Sequence, residues 1–138
     1  MAQLYRQQYC ANYLVLQAQE QALQMVQWAH VLLVAPASAN ALASMALGLT
    51  PSLPTLLARA WPVGTIDRPM LIAPAMNTAM WTHPATAGHV QRLQGWGCHI
   101  IAPVSKVLAC GDEGTGAMAA VNDVVAACVQ AWHSALCG

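Results

Sequence analysis

Three short segments of this 138-residue chain carry the residue types that can do chemistry. In Pro36-Ala-Ser-Ala-Asn40, the small residues let a planar ligand approach the backbone, and Ser38 and Asn40 offer hydrogen bonds at a helix N-terminus. A plain helix cap uses the same residues. In Pro74-Ala-Met-Asn77, followed by Thr78-Ala-Met80-Trp81, the Asn77 carboxamide can hold a carboxylate without adding charge, a contact that would orient an acid for decarboxylation. An Asx-type turn that satisfies only local backbone is the alternative, and Met80 and Trp81 read equally as packing residues. In Ala109-Cys-Gly-Asp-Glu-Gly114, a thiol in a glycine-bearing loop can deliver a proton to a reacting carbon. An inert, half-buried thiol is the commoner case for a lone cysteine, and that reading applies with more force to Cys10, Cys98, Cys128 and Cys137.

The elements that must position these segments follow from hydrophobic patterning. Residues 31–35, 70–73 and 99–102 are short aliphatic runs, each stopped by a proline (Pro36, Pro74, Pro103), which predicts buried parallel strands ending in loops. Between and after them, residues 17–28, 40–47, 53–61, 84–96 and 121–136 read as helices, with Pro84 in a first turn and Gly97 as a C-terminal cap. Residues 12–16 are a further candidate strand. Residues 62–68 read as a loop, and glycine-rich 106–118 as a flap. Strand and helix in alternation define an α/β domain: an open, mostly parallel sheet with right-handed crossovers, flanked by helices in three layers. One domain over residues 1–138 is expected, with a divergent segment at 1–16 and the flap at 104–118. In such sheets ligands bind beyond the C-terminal ends of the strands, where these three segments fall.

Composition bounds the function. Five Lys+Arg balance five Asp+Glu, so no basic stripe is available to neutralise phosphates and a nucleic-acid partner is not expected. Charged residues are only 7 % of the chain and hydrophobic ones 57 %, which predicts large apolar faces buried against other subunits. No apolar run approaches the roughly 20 residues of a membrane span, and the first residues lack a signal-peptide pattern, so a cytoplasmic setting is expected. Five cysteines without a Cys-x-x-Cys pair indicate neither a disulfide framework nor a zinc site, and no metal is expected.

Together, 36–40, Pro74-Ala-Met-Asn-Thr-Ala-Met-Trp81-Thr-His-Pro84 and Leu108-Ala-Cys-Gly-Asp-Glu-Gly-Thr-Gly-Ala-Met118 resemble, in order and separation, the flavin-dependent cysteine decarboxylase family, and most closely its eukaryotic phosphopantothenoylcysteine decarboxylases. The resemblance implies a flavodoxin/Rossmann-like fold, FMN as cofactor, and a trimer with sites between protomers. It also implies a reaction of coenzyme A biosynthesis: oxidation of the substrate thiol of 4′-phosphopantothenoylcysteine to a thioaldehyde, loss of carbon dioxide to leave an enethiolate, and return of electrons from reduced flavin to give 4′-phosphopantetheine. On this resemblance Asn77 binds the substrate carboxylate with Met80 in the same motif. Val107, Leu108 and Ala109 line the substrate, and Cys110 protonates the enethiolate. Ser38, Ala39, Asn40, Ala41 and Ala75 contact FMN, although Ala41 stands where the family usually has Thr.

The chain departs from the family elsewhere. The family's catalytic histidine, six residues before the matching tryptophan, is Ala22 ahead of Trp28 here. His30 replaces a family Asp, the family's Asp-Asn-Leu-Leu run has become Pro51-Ser-Leu-Pro54, and the N-terminal FMN-phosphate motif has no counterpart. The match therefore looks like roughly three quarters of a protomer, truncated at the N-terminus, that keeps the acid and the carboxylate clamp. It implies a Cys/Asn-contributing subunit of a hetero-oligomeric lyase, with a homologous chain supplying the histidine, or a fragment of a longer chain that also contains the histidine half. A regulatory, phosphatase-inhibiting subunit without activity is the alternative. A peptide-cysteine decarboxylase matches the flap less well.

Overall fold

The computed structural model describes residues 19–107 and 113–137. Its centre is a parallel sheet in the order β1-β2-β3, formed by β1 (Leu32–Ala37), β2 (Met70–Pro74) and β3 (His99–Ile100). Leu32, Leu33 and Val34 sit opposite Met70, Leu71 and Ile72, and Leu71 and Ile72 continue to His99 and Ile100. Every residue of β2 is buried, as the continuous apolar run requires of a central strand. β1 does not stop at Pro36: it runs on to Ala37, with the register shifting between Val34 and Ala37 and a cis Ala35–Pro36 peptide. Proline cannot donate to a ladder, and it is accommodated at this irregularity on an outer strand. β3 is half the expected length. The candidate strand at 12–16 lies outside the described residues.

Helices fall close to their expected places. Residues 19–28 form α1, with Ala22 and Val26 turned inward and Leu23, Met25 and Trp28 exposed. Its terminal carbonyls are satisfied from a distance in sequence: Arg68 Nη2 donates to the carbonyls of Val26 and Ala29, the latter at 2.7 Å. The Arg68 guanidinium also lies 4.7 Å from the centre of the Trp61 ring, and Trp61 Nε1 donates to the Arg68 carbonyl at 2.9 Å. Residues 62–68 are thus a loop held at both ends by one pair. α2 is Ala39–Leu47, and α3 is Leu53–Ala60. The altered run at 51–54 starts α3, with Thr55 Oγ1 accepting from the Ser52 N–H at 3.1 Å. A short helix not expected from the sequence, α4 (Thr78–Trp81), precedes α5 (Pro84–Gly95), and the chain closes with α6 (Val121–Cys137). Trp96 caps α5, and Gly97, with φ 89°, takes the left-handed position just beyond.

The described residues of the expected flap form an antiparallel pair, β4 (Val104–Val107) with β5 (Glu113–Ala117). The two faces of the parallel sheet are packed unequally. On one, Val34, Met70, Ile72, Leu42, Met45, Trp61 and Leu93 form the main core. On the other, Ala73, Ala119 and Val124 make a small cluster, and Leu33 of β1 is 39 % exposed. The α6 side chains Val121, Val125 and Val129 are exposed as well, consistent with the apolar surplus in the composition.

Candidate active site

The site forms where β1 and β2 end. Ala75 N–H donates to the Ala37 carbonyl at 2.9 Å, which joins the two post-strand loops side by side and brings 38–41 next to 75–80. Ser38 is the N-cap of α2: its Oγ accepts from the Ala41 N–H at 3.2 Å, and its carbonyl accepts from Leu42. The hydroxyl hydrogen of Ser38 and the exposed carboxamide of Asn40 remain free to point outward. Ala37, Ala39, Ala41 and Ala75 carry nothing beyond Cβ, so the surface here is a low shelf of backbone and methyl groups. This neutral donor set beside an open backbone fits the hydrogen-bonding edge of a flavin ring. No Lys or Arg occurs in 36–41 or 74–81 to meet a phosphate.

Asn77 caps α4. Its Oδ1 accepts from the Ala79 N–H at 2.8 Å, while its carbonyl accepts from Met80 and Trp81. Because that backbone donor occupies the oxygen of an exposed side chain, the Nδ2 amino group keeps two N–H donors available. Cap and carboxylate binder are therefore compatible, since a carboxylate needs donors and the cap consumes the acceptor. Met80 is exposed, and its carbonyl is held by Thr86 Oγ1 at 2.6 Å, which ties α4 to the first turn of α5. His83 caps α5, its Nδ1 accepting from Ala85 at 3.2 Å.

The β4–β5 pair reaches this shelf through backbone, Met76 N–H donating to the Gly116 carbonyl at 2.9 Å. Val107 ends β4 opposite Glu113. Leu108, Ala109 and Cys110 lie outside the described residues. Sequence reasoning missed Met76, Thr86 and Gly116. Only the glycine in a strand-like stretch carried a signal.

Two other groups are accounted for without chemistry. His30 packs edge-on against Trp132, with ring centres 5.0 Å apart, and lies at the start of β1. Ser38 lies past its end, so a six-residue strand, about 20 Å long, separates His30 from the shelf. Cys98 is buried with its thiol against Met70 Sδ at 3.8 Å, and burial pushes it up to about 11, far from a useful acid near neutrality. Burial raises Cys128 as well. Ala22 is 1 % exposed and presents a methyl group. Among the described residues no cluster of His, Cys, Asp and Glu could hold a metal, and no helix is long and apolar enough to cross a membrane.

A parallel sheet with small residues and neutral hydrogen-bonding groups at its strand ends is the architecture of flavin-binding α/β proteins, and the comparisons with known proteins agree. The Flavoprotein family model matches residues 3–133, and the chain belongs to that family. It is 50 % identical over 99 residues to phosphopantothenoylcysteine decarboxylase of Mus musculus, covering 72 % of this chain and 47 % of that one. It is 42 % identical over 112 residues to a probable phosphopantothenoylcysteine decarboxylase of Arabidopsis thaliana, covering 81 % and 54 %. Among solved structures, a Cys-to-Ser mutant of PPC decarboxylase complexed with pantothenoylaminoethenethiol superposes with a TM-score of 0.75 at 40 % identity, covering 83 % of this chain and 61 % of that one. The FMN binding protein AtHal3 gives 0.72 at 41 %, covering 83 % and 60 %. The chain spans about half the length of these curated relatives, a smaller share than the expected three quarters.

Proposed function

We propose that this chain is the Cys/Asn-contributing subunit of an FMN-dependent carbon–carbon lyase that decarboxylates 4′-phosphopantothenoylcysteine to 4′-phosphopantetheine in the cytoplasm, as a step of coenzyme A biosynthesis. The observation that carries this reading is the orientation of Asn77. Its Oδ1 is spent on Ala79, which leaves the two amide hydrogens of an exposed side chain, in the loop tied to Ala37 through Ala75, available to a substrate carboxylate.

Ser38, Ala39, Asn40, Ala41 and Ala75 would hold the flavin ring, and Met80 with Val107, Leu108 and Ala109 would line the substrate. FMN, when bound, supplies the two-electron oxidation of the thiol and returns the electrons after carbon dioxide leaves. Asn77 holds the carboxylate in place until the bond breaks, and Cys110 gives its proton to the enethiolate carbon. The base for the oxidation cannot come from Ala22, whose methyl accepts no proton. A homologous, histidine-bearing chain in a trimeric hetero-oligomer fills that role. Two features support an added surface: Asn77 and Met80 are exposed in the single chain, whereas such chemistry requires exclusion of water, and Leu33 leaves one face of β1 uncovered.

Ala22 alone favours a second reading, an inactive regulatory subunit, but that reading leaves the amide hydrogens of Asn77 without a use. Native mass spectrometry of the protein from its own cell, with flavin absorbance on the same sample, separates the two. A yellow complex containing a histidine-bearing homologue is expected, and a colourless homo-oligomer overturns the decarboxylase reading.

A further inference from the structure

The contact between β5 and the loop after β2 is closer than an ordinary packed side chain allows. Gly116 has φ 126°, a backbone conformation that L side chains rarely adopt, and a Cβ built there would overlap the Met76 carbonyl oxygen and lie 3.4 Å from Trp81 Cβ. In the same place the Gly116 carbonyl accepts from the Met76 N–H at 2.9 Å. Two backbones are therefore in direct contact, one hydrogen bond holding them and the missing side chain permitting it. Met76 immediately precedes Asn77, and Gly116 lies three residues past Glu113, the partner of Val107 across the hairpin.

We infer that Gly116 is a positioning residue for the decarboxylation: it clips the β4–β5 hairpin to the Met76–Asn77 peptide and so fixes the base of the hairpin, which carries the proton donor, relative to the carboxylate clamp. The inference rests on the proposed function and assigns a role to a residue outside the set that touches substrate or flavin. Any side chain at 116 forces the hairpin off the loop. The shelf itself survives, because its own tie, Ala75 N–H to the Ala37 carbonyl, does not involve the hairpin. The expected defect is thus in turnover, with flavin retention intact.

The test compares wild type, Gly116→Ala and a control, Gly95→Ala, whose added Cβ meets nothing within 4 Å. Each is assembled with the histidine-bearing homologue. A misplacement of about 1 Å costs on the order of 100-fold in rate, so kcat for Gly116→Ala is expected to fall about 100-fold, with flavin per chain unchanged and the control at wild-type values. Amide exchange gives a readout independent of turnover. The Met76 amide should exchange at least ~10-fold faster in Gly116→Ala, while the Ala75 amide keeps its protection. Unchanged Met76 protection, or kcat within about threefold of wild type once that protection is gone, overturns the inference. If Gly116→Ala loses Ala75 protection too, it has not folded and wild type decides: a Met76 amide as protected as Ala75 supports the clip, and an unprotected one overturns it. A wild-type assembly with no turnover but a protected Met76 amide would sink the decarboxylase reading while leaving the clip standing.

Discussion

The two places that the proposed reaction concerns are built very differently in this chain. At the C-terminal ends of β1 and β2, two ties (Ala75 to Ala37, Ala41 to Ser38) hold the shelf, and two more (Ala79 to Asn77, Met76 to Gly116) hold the loop beside it. At α1, the corresponding position is Ala22, a methyl group packed inward and 1 % exposed. The second place has been given over to packing. The difference teaches that the polar groups at the strand ends are positioned independently of α1, so the proposed function needs a base from another surface.

The largest effects should come from breaking the intact half. In the assembled enzyme, Asn77→Asp places one carboxylate against another, and Cys110→Ser removes the acid; each is expected to lower kcat/KM by about 100-fold or more, measured as carbon dioxide release. Flavin content should stay within error, because neither residue belongs to the shelf. Next in size is a contrast between the two faces of the sheet. Ile72→Ala, at 0 % exposure, should cost about 2–5 kcal/mol in urea unfolding, whereas Leu33→Ser should cost within about 0.5 kcal/mol for the chain alone. Repeating the Leu33→Ser measurement on the assembly sharpens the comparison, since a covered β1 face makes the same substitution costly.

Much of this was legible in the sequence for identifiable reasons. β2 announced itself because an uninterrupted run from Met70 to Ala73 suits only a strand covered on both faces. α5 was bounded by Pro84 and Gly97. α4 escaped because four residues are too few to show a helical period, and its one signal, Asn77 as a cap, was also the signal for chemistry. The β4–β5 pair escaped because Gly114 and Gly116 interrupt any alternation of apolar and polar residues. For the site, residue types named Ser38 and Asn77 but left cap and ligand as rivals. Geometry shows that the two are compatible, since the cap uses only the oxygen end of the Asn77 carboxamide.

Smaller effects test the scaffold around the shelf. Ser38→Ala removes the α2 cap and should destabilise the chain by about 1 kcal/mol in denaturant unfolding, together with a measurable loss of flavin if the hydroxyl also serves the ring. The smallest concerns Cys98. Its thiol is raised in the folded state from 9.0 to about 11, so the folded chain keeps the proton longer than the unfolded chain does. Its contribution is fully present below pH 9.0 and lost as pH rises toward about 11. A thermal midpoint that falls across that window, and falls less in Cys98→Ser, is the expected result.

The central claim, that this chain lends Asn77 and Cys110 to a base on another chain, is tested most directly by complementation. The histidine-bearing homologue would carry a serine in place of its own flap cysteine, leaving it inactive, and carbon dioxide release from 4′-phosphopantothenoylcysteine would be measured after mixing it with this chain. Activity that appears only in the mixture, and disappears when Cys110→Ser is used instead, is the predicted result. A mixture as silent as either component, although the two chains co-purify, would contradict the shared site.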